Sequence, residues 1–395
     1  MLFKSLVITI IMLSFFLSLN AAKYIDQHLY FDIFIGEAQY LQLKSESYFY
    51  LNSPSDSTYI TFPEVLQINY DGNESQPSVW VNGNFYNLPI TIASDKPIEF
   101  NGYKYNGMFL LTATKENKIK LINNVEMEDY IAGVIPYEIG VEAPYEALKA
   151  QAVAARSHTV KQLLNSKHSN DGYDLCNTTH CQVYNGLTRQ TERTYRAAIE
   201  TTNEILIFEN EVVDAVYHSC CGGSTEDAKD LWGSSRNYLI HTKDSRNNES
   251  IYCSLGGKYI NWYKSAFQWS SKVSKNDIKN KLSIGNIQNI QIQKRGKSGR
   301  ILTIKVNGSL ASKTIKNELE IRKLFNNAKS SNFVLQDKGS YYLLNGYGTG
   351  HGVGMCQIGA IVQAYLGFSY EDILLFYYNG TKISDEWLLN NFKIK

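Results

Sequence analysis

Residues 133–158, GVIPYEIGVEAPYEALKAQAVAARSH, decide how this chain is read. The first half is a Pro-Tyr-Glu-Ile-Gly segment, read as a turn, that carries one glutamate, Glu138. The second half is rich in Ala, Leu, Lys and Gln, all strong helix formers, and predicts a helix over 147–164. Pro144 suits the first helical position, and Glu146 sets negative charge in the first turn. Tyr145, Lys149, Ala152 and Arg156 recur at helical spacing and share one stripe. The alanines let another backbone approach, so the helix is expected to lie buried against a sheet with its two cations aimed into a cleft. One carboxylate near two fixed cations is a candidate acid/base site.

On the N-terminal side of this stretch, 23–122 reads as β-structure. Runs such as 29–35 and 79–86 mix aromatic and β-branched residues, and Asp71-Gly72, Asn82-Gly83 and Asn101-Gly102 punctuate them as turns. Residues 103–114 and 118–125 read as two further strands. Beyond the helix come a cysteine-histidine loop (168–185), a helical run (191–203), and strands at 205–208 and 212–217. An irregular region (222–260), more strands (287–307) and a short helix (318–327) follow. The chain then has a glycine-rich loop and two helices (356–366 and 370–378), with Gly367 and Gly380 as caps. The fold class is mixed α+β.

The chain of 395 residues is 44% hydrophobic and 19% charged, enough for a large core and more than one domain. A net charge of +1 gives no electrostatic reason to expect nucleic acid. Tyr accounts for 28 residues, and Tyr-lined clefts suit sugars, because the ring stacks and the hydroxyl hydrogen-bonds. Residues 1–22 read as an export signal: Lys4 gives a positive start, an apolar run covers 6–19, and Asn20-Ala21-Ala22 offers small residues for cleavage. The apolar run is shorter than the roughly 20 residues of a membrane span. The imperfect cleavage box leaves an uncleaved anchor as the alternative, and no other stretch suits a membrane.

Four segments stand in order along the chain: Val125-Glu-Met-Glu-Asp-Tyr-Ile-Ala-Gly-Val-Ile-Pro-Tyr-Glu138; Glu146-Ala-Leu-Lys-Ala-Gln-Ala-Val-Ala-Ala-Arg156; Asp214-Ala-Val-Tyr-His-Ser219 with Gly222-Gly223; and Gly350-His-Gly-Val-Gly-Met355 with Gln357. In these the chain resembles the SpoIID/LytB family of exported bacterial cell-wall proteins, over about residues 98–382. The resemblance implies a SpoIID-like catalytic domain over 98–395, preceded by a smaller β-rich region over 23–97. It implies a lytic transglycosylase that cleaves the MurNAc-GlcNAc bond of glycan strands stripped of stem peptides and leaves 1,6-anhydro ends. Glu138 would be the acid/base, with Lys149, Arg156, Tyr217, His218, His351 and Gln357 as substrate-binding residues. The implied location is the bacterial cell envelope, and an amidase that strips stem peptides is an expected partner. The alternative is a non-catalytic wall-binding or amidase-enhancing protein of the same family.

A lone carboxylate is chemically coherent here. Ordinary glycosidases use two carboxylates. A lytic transglycosylase needs one, because the nucleophile is a hydroxyl of the sugar itself. The run 346–354, with glycine at every second position, puts bare backbone on one face of an extended segment and lets a ligand or another backbone approach.

The cysteines leave alternatives open. Cys176-Asn-Thr-Thr-His-Cys181 offers Cys176, His180 and Cys181 as ligands to a tetrahedral zinc, with His168 a candidate fourth. Some SpoIID-like proteins are similar in this loop and hold zinc there, in a structural role. The competing reading is a Cys176–Cys181 disulfide. Cys220, Cys221 and Cys253 stand outside the simplest family pattern and would complete that metal site or pair as a disulfide with Cys253. Cys356 stands where the family often has Ser, either as a conservative swap or as a nucleophile. A zinc amidase using Cys176, His180 and Cys181 ranks last among the readings, because such enzymes keep an open metal position.

Overall fold

The computed structural model describes residues 22–392 apart from 26–27, 55–57, 74, 247–249 and 262. The export signal expected over 1–22 lies, but for Ala22, outside the described residues. Among the described residues, no helix is long and apolar enough to cross a membrane. Helices and sheets are mixed throughout, and the fold class is α+β.

The chain divides into two units. The first is drawn from Met1–Val141, Thr159–Glu204 and Asp385–Lys395. Its largest sheet runs in the order Lys23–Ile25, His28–Ala38, Ile119–Glu126, Met108–Ala113, Ile90–Ser94, Phe49–Ser53, Thr58–Phe62. Leu175–Cys176 adds to His28–Ala38 in parallel. A second sheet orders Tyr103–Tyr105, Ile98–Phe100, Tyr40–Lys44, Val65–Tyr70, Ser78–Val81 and Asn84–Asn87. Two of the expected turns are left-handed hairpin corners: φ is +46° and +83° at Asn82-Gly83, and +51° and +81° at Asn101-Gly102. In both sheets, strands from before residue 97 pair with strands from after it, so the sheets run across the boundary expected there.

Residues 127–138, which the sequence reads in part as a turn, form a helix, Met127–Glu138. The Glu126 side chain caps its N-terminus by accepting from the amides of Glu128 and Asp129 (2.8 and 3.2 Å). Pro136 would ordinarily end a helix. Here Met127, Tyr130, Ile131, Ala132, Val134 and Ile135 are all buried, and packing overrides the break until Ile139 and Gly140. Gly133 sits flush against the Gly186 carbonyl and the Tyr184 ring, where a Cβ would come within 2.7 and 2.8 Å.

The second unit comprises Glu142–His158 and Ile205–Ser384. The alanine-rich helix, Tyr145–Leu164, gives this unit its residues up to His158 and the first unit the remainder. It starts one residue later than Pro144 at the first helical position would require. Pro144 instead supplies the carbonyl for Leu148 N–H (3.0 Å). As expected it is buried along most of its length.

Four small sheets complete this unit. Ile205–Phe208 pairs with Glu211–Val212 and with Lys382–Ser384. The strand expected over 212–217 stops early, because Val216 N–H turns back onto the Asp214 carbonyl (2.8 Å). Tyr217–His218 instead pairs in parallel with Met355–Cys356. Gln268–Ser274, Tyr341–Tyr347 and Phe333–Asp337 form a third sheet, and Ile287–Arg295, Ile301–Gly308 and Ser312–Ile315 a fourth. The unit has two apolar clusters. One gathers Val153, Leu206, Val213, Met355 and Ile358; the other gathers Trp269, Ile278, Ile304, Phe325 and Leu344.

Candidate functional site

Glu138 is the last residue of the helix Met127–Glu138 and is half-buried in the first unit. Tyr130, about two turns earlier on the same helix, is fully buried; burial, then the charges of Cys181 and Glu138, push its phenol well above its usual range. The other predicted site residues, Lys149, Arg156, Tyr217, His218, His351 and Gln357, belong to the second unit.

Lys149 lies mostly buried between two rings. Its Nζ pairs with Glu146 Oε1 (2.9 Å) and stands 5.3 and 4.8 Å from the centroids of Tyr145 and Tyr370. Lys149 and Glu146 form an i,i+3 ion pair along the helix, set within an aromatic clamp. Arg156 is fully buried, where the sequence predicts a cation open to a cleft. Gln357 is also buried, and its Nε2 donates to Gln151 Oε1 on the alanine-rich helix (3.2 Å).

The two histidines differ from simple cleft residues. His351 Nδ1 accepts from Val353 N–H (3.1 Å), so Nε2 carries the proton and donates to the Tyr217 carbonyl (3.0 Å). Both nitrogens are thereby committed to backbone. Burial, then the neighbouring His218 and Arg300, hold the His351 imidazole well below its usual pKa and keep it neutral. What it offers outward is a ring, 5.3 Å from Trp232 and 5.4 Å from His218 between centroids. His218 is buried, with Nδ1 donating to the Val353 carbonyl (3.0 Å).

Gly346 lies in the strand Tyr341–Tyr347, but from Gly348 on the run is a loop rather than the extended segment expected. Gly348, Gly350, Gly352 and Gly354 all have positive φ (+76°, +96°, +82° and +70°). What approaches the bare backbone is the protein itself. A Cβ on Gly352 would lie 2.1 Å from the Arg300 guanidinium carbon, and one on Gly354 would lie 2.0 Å from the Val216 carbonyl.

Asp214 opens the motif 214–219. Burial pushes its carboxyl up, yet His158 and Arg236 outweigh burial and hold it below the usual carboxylate range. His158 Nδ1 lies 2.6 Å from Oδ1, and Arg236 donates to Oδ2. This node fixes the point where the chain leaves one strand pair for the other.

The cysteine-histidine loop converges in the first unit. Donor atoms of His168, Cys176, His180 and Cys181 all lie within 4.8 Å of one another. Cys176 Sγ is 3.5 Å from Cys181 Sγ and 3.6 Å from His180 Nδ1; Cys181 Sγ is 3.4 Å from His168 Nε2. A tetrahedral zinc with bonds of about 2.0–2.3 Å has edges of roughly 3.3–3.8 Å, so the four donors fit one ion. His168 turns its other nitrogen to Asp171 (2.9 Å), the arrangement that orients a ligating imidazole. The backbone explains the convergence. Cys176 sits on the strand paired with His28–Ala38, and Asn177 Nδ2 ties the following turn to the Ile35 carbonyl (3.3 Å). Cys176 and Cys181 are free cysteines.

Cys220, Cys221 and Cys253 do not join that set. They lie in the second unit with Cys356, all four fully buried. Burial pushes the Cys221 and Cys253 thiols up. Burial acts likewise on Cys356, but hydrogen bonds from Cys220, Cys221 and Cys253 outweigh it and bring that thiol well below its usual range. Asp244, which no sequence spacing marked, lies among them.

Comparison with known proteins agrees with the motifs. Residues 115–208 match the SpoIID family, described as stage II sporulation protein, and 224–354 match a domain of unknown function, DUF8618. An uncharacterized protein of Brachyspira hyodysenteriae is 31% identical over 306 residues, covering 76% of this chain and 77% of that protein. Stage II sporulation protein D of Bacillus amyloliquefaciens is 29% identical, covering 67% of this chain and 76% of that one. The amidase enhancer of Bacillus subtilis is 29% identical over 64% of this chain but only 40% of its own length. With the ordered motifs, the helix that carries Glu138 and these matches taken together, the chain belongs to the SpoIID family.

Proposed function

We propose that this chain is a peptidoglycan lytic transglycosylase acting on glycan strands stripped of stem peptides, with Glu138 as its single acid/base. The observation that carries this reading is the setting of Glu138: a half-buried carboxyl at a helix C-terminus, within the segment matching the SpoIID family. Family membership supports a cell-wall role and a place in the envelope. Glu138 would protonate the glycosidic oxygen, and the bond from C1 of the muramic acid to that oxygen breaks. The resulting carboxylate would then take the proton of the same sugar's C6 hydroxyl as C1–O6 closes, giving the 1,6-anhydro end. The attack is intramolecular and gains from proximity.

Lys149, partly exposed between Tyr145 and Tyr370, is the cation we assign to substrate, and the Tyr217 and His351 rings are assigned to the sugar face. Arg156, His218 and Gln357, all buried, are assigned to positioning. His168, Cys176, His180 and Cys181 would hold a zinc ion with a full protein shell, in a structural role. The export signal, the amidase partner and the anchor alternative remain part of this proposal.

The relative named amidase enhancer supports a second reading, in which the chain binds the wall and stimulates an amidase. Denuded glycan strands separate the two. The transglycosylase reading expects 1,6-anhydro ends by mass spectrometry with wild type and none with Glu138→Gln. Binding without cleavage by both proteins favours the enhancer.

A further inference from the structure

We propose that Cys221, Cys253, Cys356 and Asp244 hold a second zinc ion in the second unit, separate from the His168 set. The four residues are fully buried, and their donor atoms all lie within 4.8 Å of one another. Cys221 and Cys253 Sγ are 3.4 Å apart, close to the roughly 3.8 Å edge of a thiolate tetrahedron around zinc.

The surroundings are built for anionic sulfur and oxygen. Cys221 N–H and Gly359 N–H both point at Cys356 Sγ (3.2 and 3.4 Å), and Gly223 N–H points at Cys221 Sγ (3.4 Å). Cys356 also caps the N-terminus of the helix Gln357–Tyr365, whose dipole favours negative charge there. Asp244 is held from both sides: Tyr377 Oη donates to Oδ1 (2.6 Å) and Cys253 N–H to Oδ2 (2.8 Å). Such partners orient a ligating carboxylate without using all its lone pairs. Gly359 makes room for this pair. A Cβ there would come 2.1 Å from Tyr377 Oη and 2.7 Å from Asp244 Oδ1.

A buried carboxylate among three buried thiols is costly unless paired or bound to a metal. The Arg300 guanidinium, the buried cation nearby, donates to the Cys221 carbonyl (3.2 Å). A Cys221–Cys253 disulfide would account for two of the four residues and leave the convergence of Cys356 and Asp244 on them unexplained. The oxygen donor argues for zinc over copper(I) or an iron–sulfur cluster. Cys220, buried beside Cys253 and Cys356, stays outside the four-donor set. Four protein donors leave no open position, so the ion is structural. It would fasten Cys221, Asp244 and Cys253 to the parallel pair Tyr217–His218 and Met355–Cys356. The inference does not rest on the transglycosylase reading.

The test is a joint count of zinc and thiols on the full chain, purified under reducing conditions with zinc supplied. Elemental analysis is expected to find about two zinc ions per chain, and about one in Cys176→Ser/Cys181→Ser. After denaturation in chelator, all six cysteines should react as free thiols. No zinc left in the double variant, with only one ion in wild type, overturns the proposal. So does a Cys221–Cys253 disulfide in the peptide map of unreduced wild type, or six free thiols with no zinc retained by Cys176→Ser/Cys181→Ser. Each outcome is read without any glycan-cleaving assay, so failure here is distinct from failure of the enzymatic reading.

Discussion

The Nε2 atom of His351 donates to the carbonyl oxygen of Tyr217, 3.0 Å away and 134 positions back in sequence. This bond ties the glycine loop to the strand Tyr217–His218 through a ring whose other nitrogen is also taken by backbone. His351→Ala should therefore act first on stability, by about 1–3 kcal/mol, since it removes both hydrogen bonds that the ring makes to backbone. Urea denaturation of the two proteins measures this. A fully stable His351→Ala protein would show that the two bonds carry little.

Glu138→Gln should lose about 10²–10⁴-fold in the rate of 1,6-anhydro end formation, the usual share of a positioned acid/base. Its melting temperature and its retention on denuded glycan should stay near wild type, because the substitution keeps size and polarity. Equal turnover by the two proteins would remove Glu138 from the chemistry.

Gly352→Ala should destabilise the second unit by several kcal/mol, about 3 or more. The new Cβ meets the buried Arg300 guanidinium at 2.1 Å, and φ of +82° strains any L side chain. Gly367→Ala is the control. It shares a positive φ (+89°) but meets nothing within 4 Å, so its cost should be nearer 1 kcal/mol. Thermal melts of both compare them directly.

Asp214→Asn should cost about 2 kcal/mol at neutral pH, by breaking the pairing with His158 and Arg236. The folded protein holds this carboxyl below its ordinary value of 3.8. Its stabilisation is thus complete above that value and is lost as pH falls through the lowered one. Wild type should approach the variant in stability on strong acidification, and denaturation curves across pH 2–6 check the sign.

If the His168 loop holds zinc, a strong chelator should lower the melting temperature of wild type, and Cys181→Ser should melt lower than wild type without chelator. An unchanged melt in both would leave the loop without a structural ion.

The sequence made the alanine-rich helix legible, because its composition and its small residues both agree with burial. The hairpin corners at Asn82-Gly83 and Asn101-Gly102 were legible for a similar reason: the residue pair and the backbone they need coincide. The helix ending at Glu138 was not, since Pro136 reads locally as a break and only the burial of Ile131, Val134 and Ile135 overrules it. Nor were the true partners of the glycine run. Alternating glycines announce a close approach, but Arg300 and Val216 are remote in sequence and no spacing names them. The His168 loop could be read because its donors are neighbours along the chain. Asp244 could not, because it reaches Cys356 through more than a hundred intervening residues.

The strand Lys382–Ser384 completes the sheet begun by Ile205–Phe208. The second unit thus takes one helix from before residue 159 and its last strand from beyond residue 380. A ribosome would have to release the chain past residue 384 before this unit could close. Until then Ile205, Leu206 and Ile207, all buried in the finished protein, have an open edge on the side that Lys382–Ser384 will occupy. Such late-paired edges invite wrong pairing during folding. Handling of the nascent chain, as much as the stability of the finished fold, would then set how much protein reaches its working form.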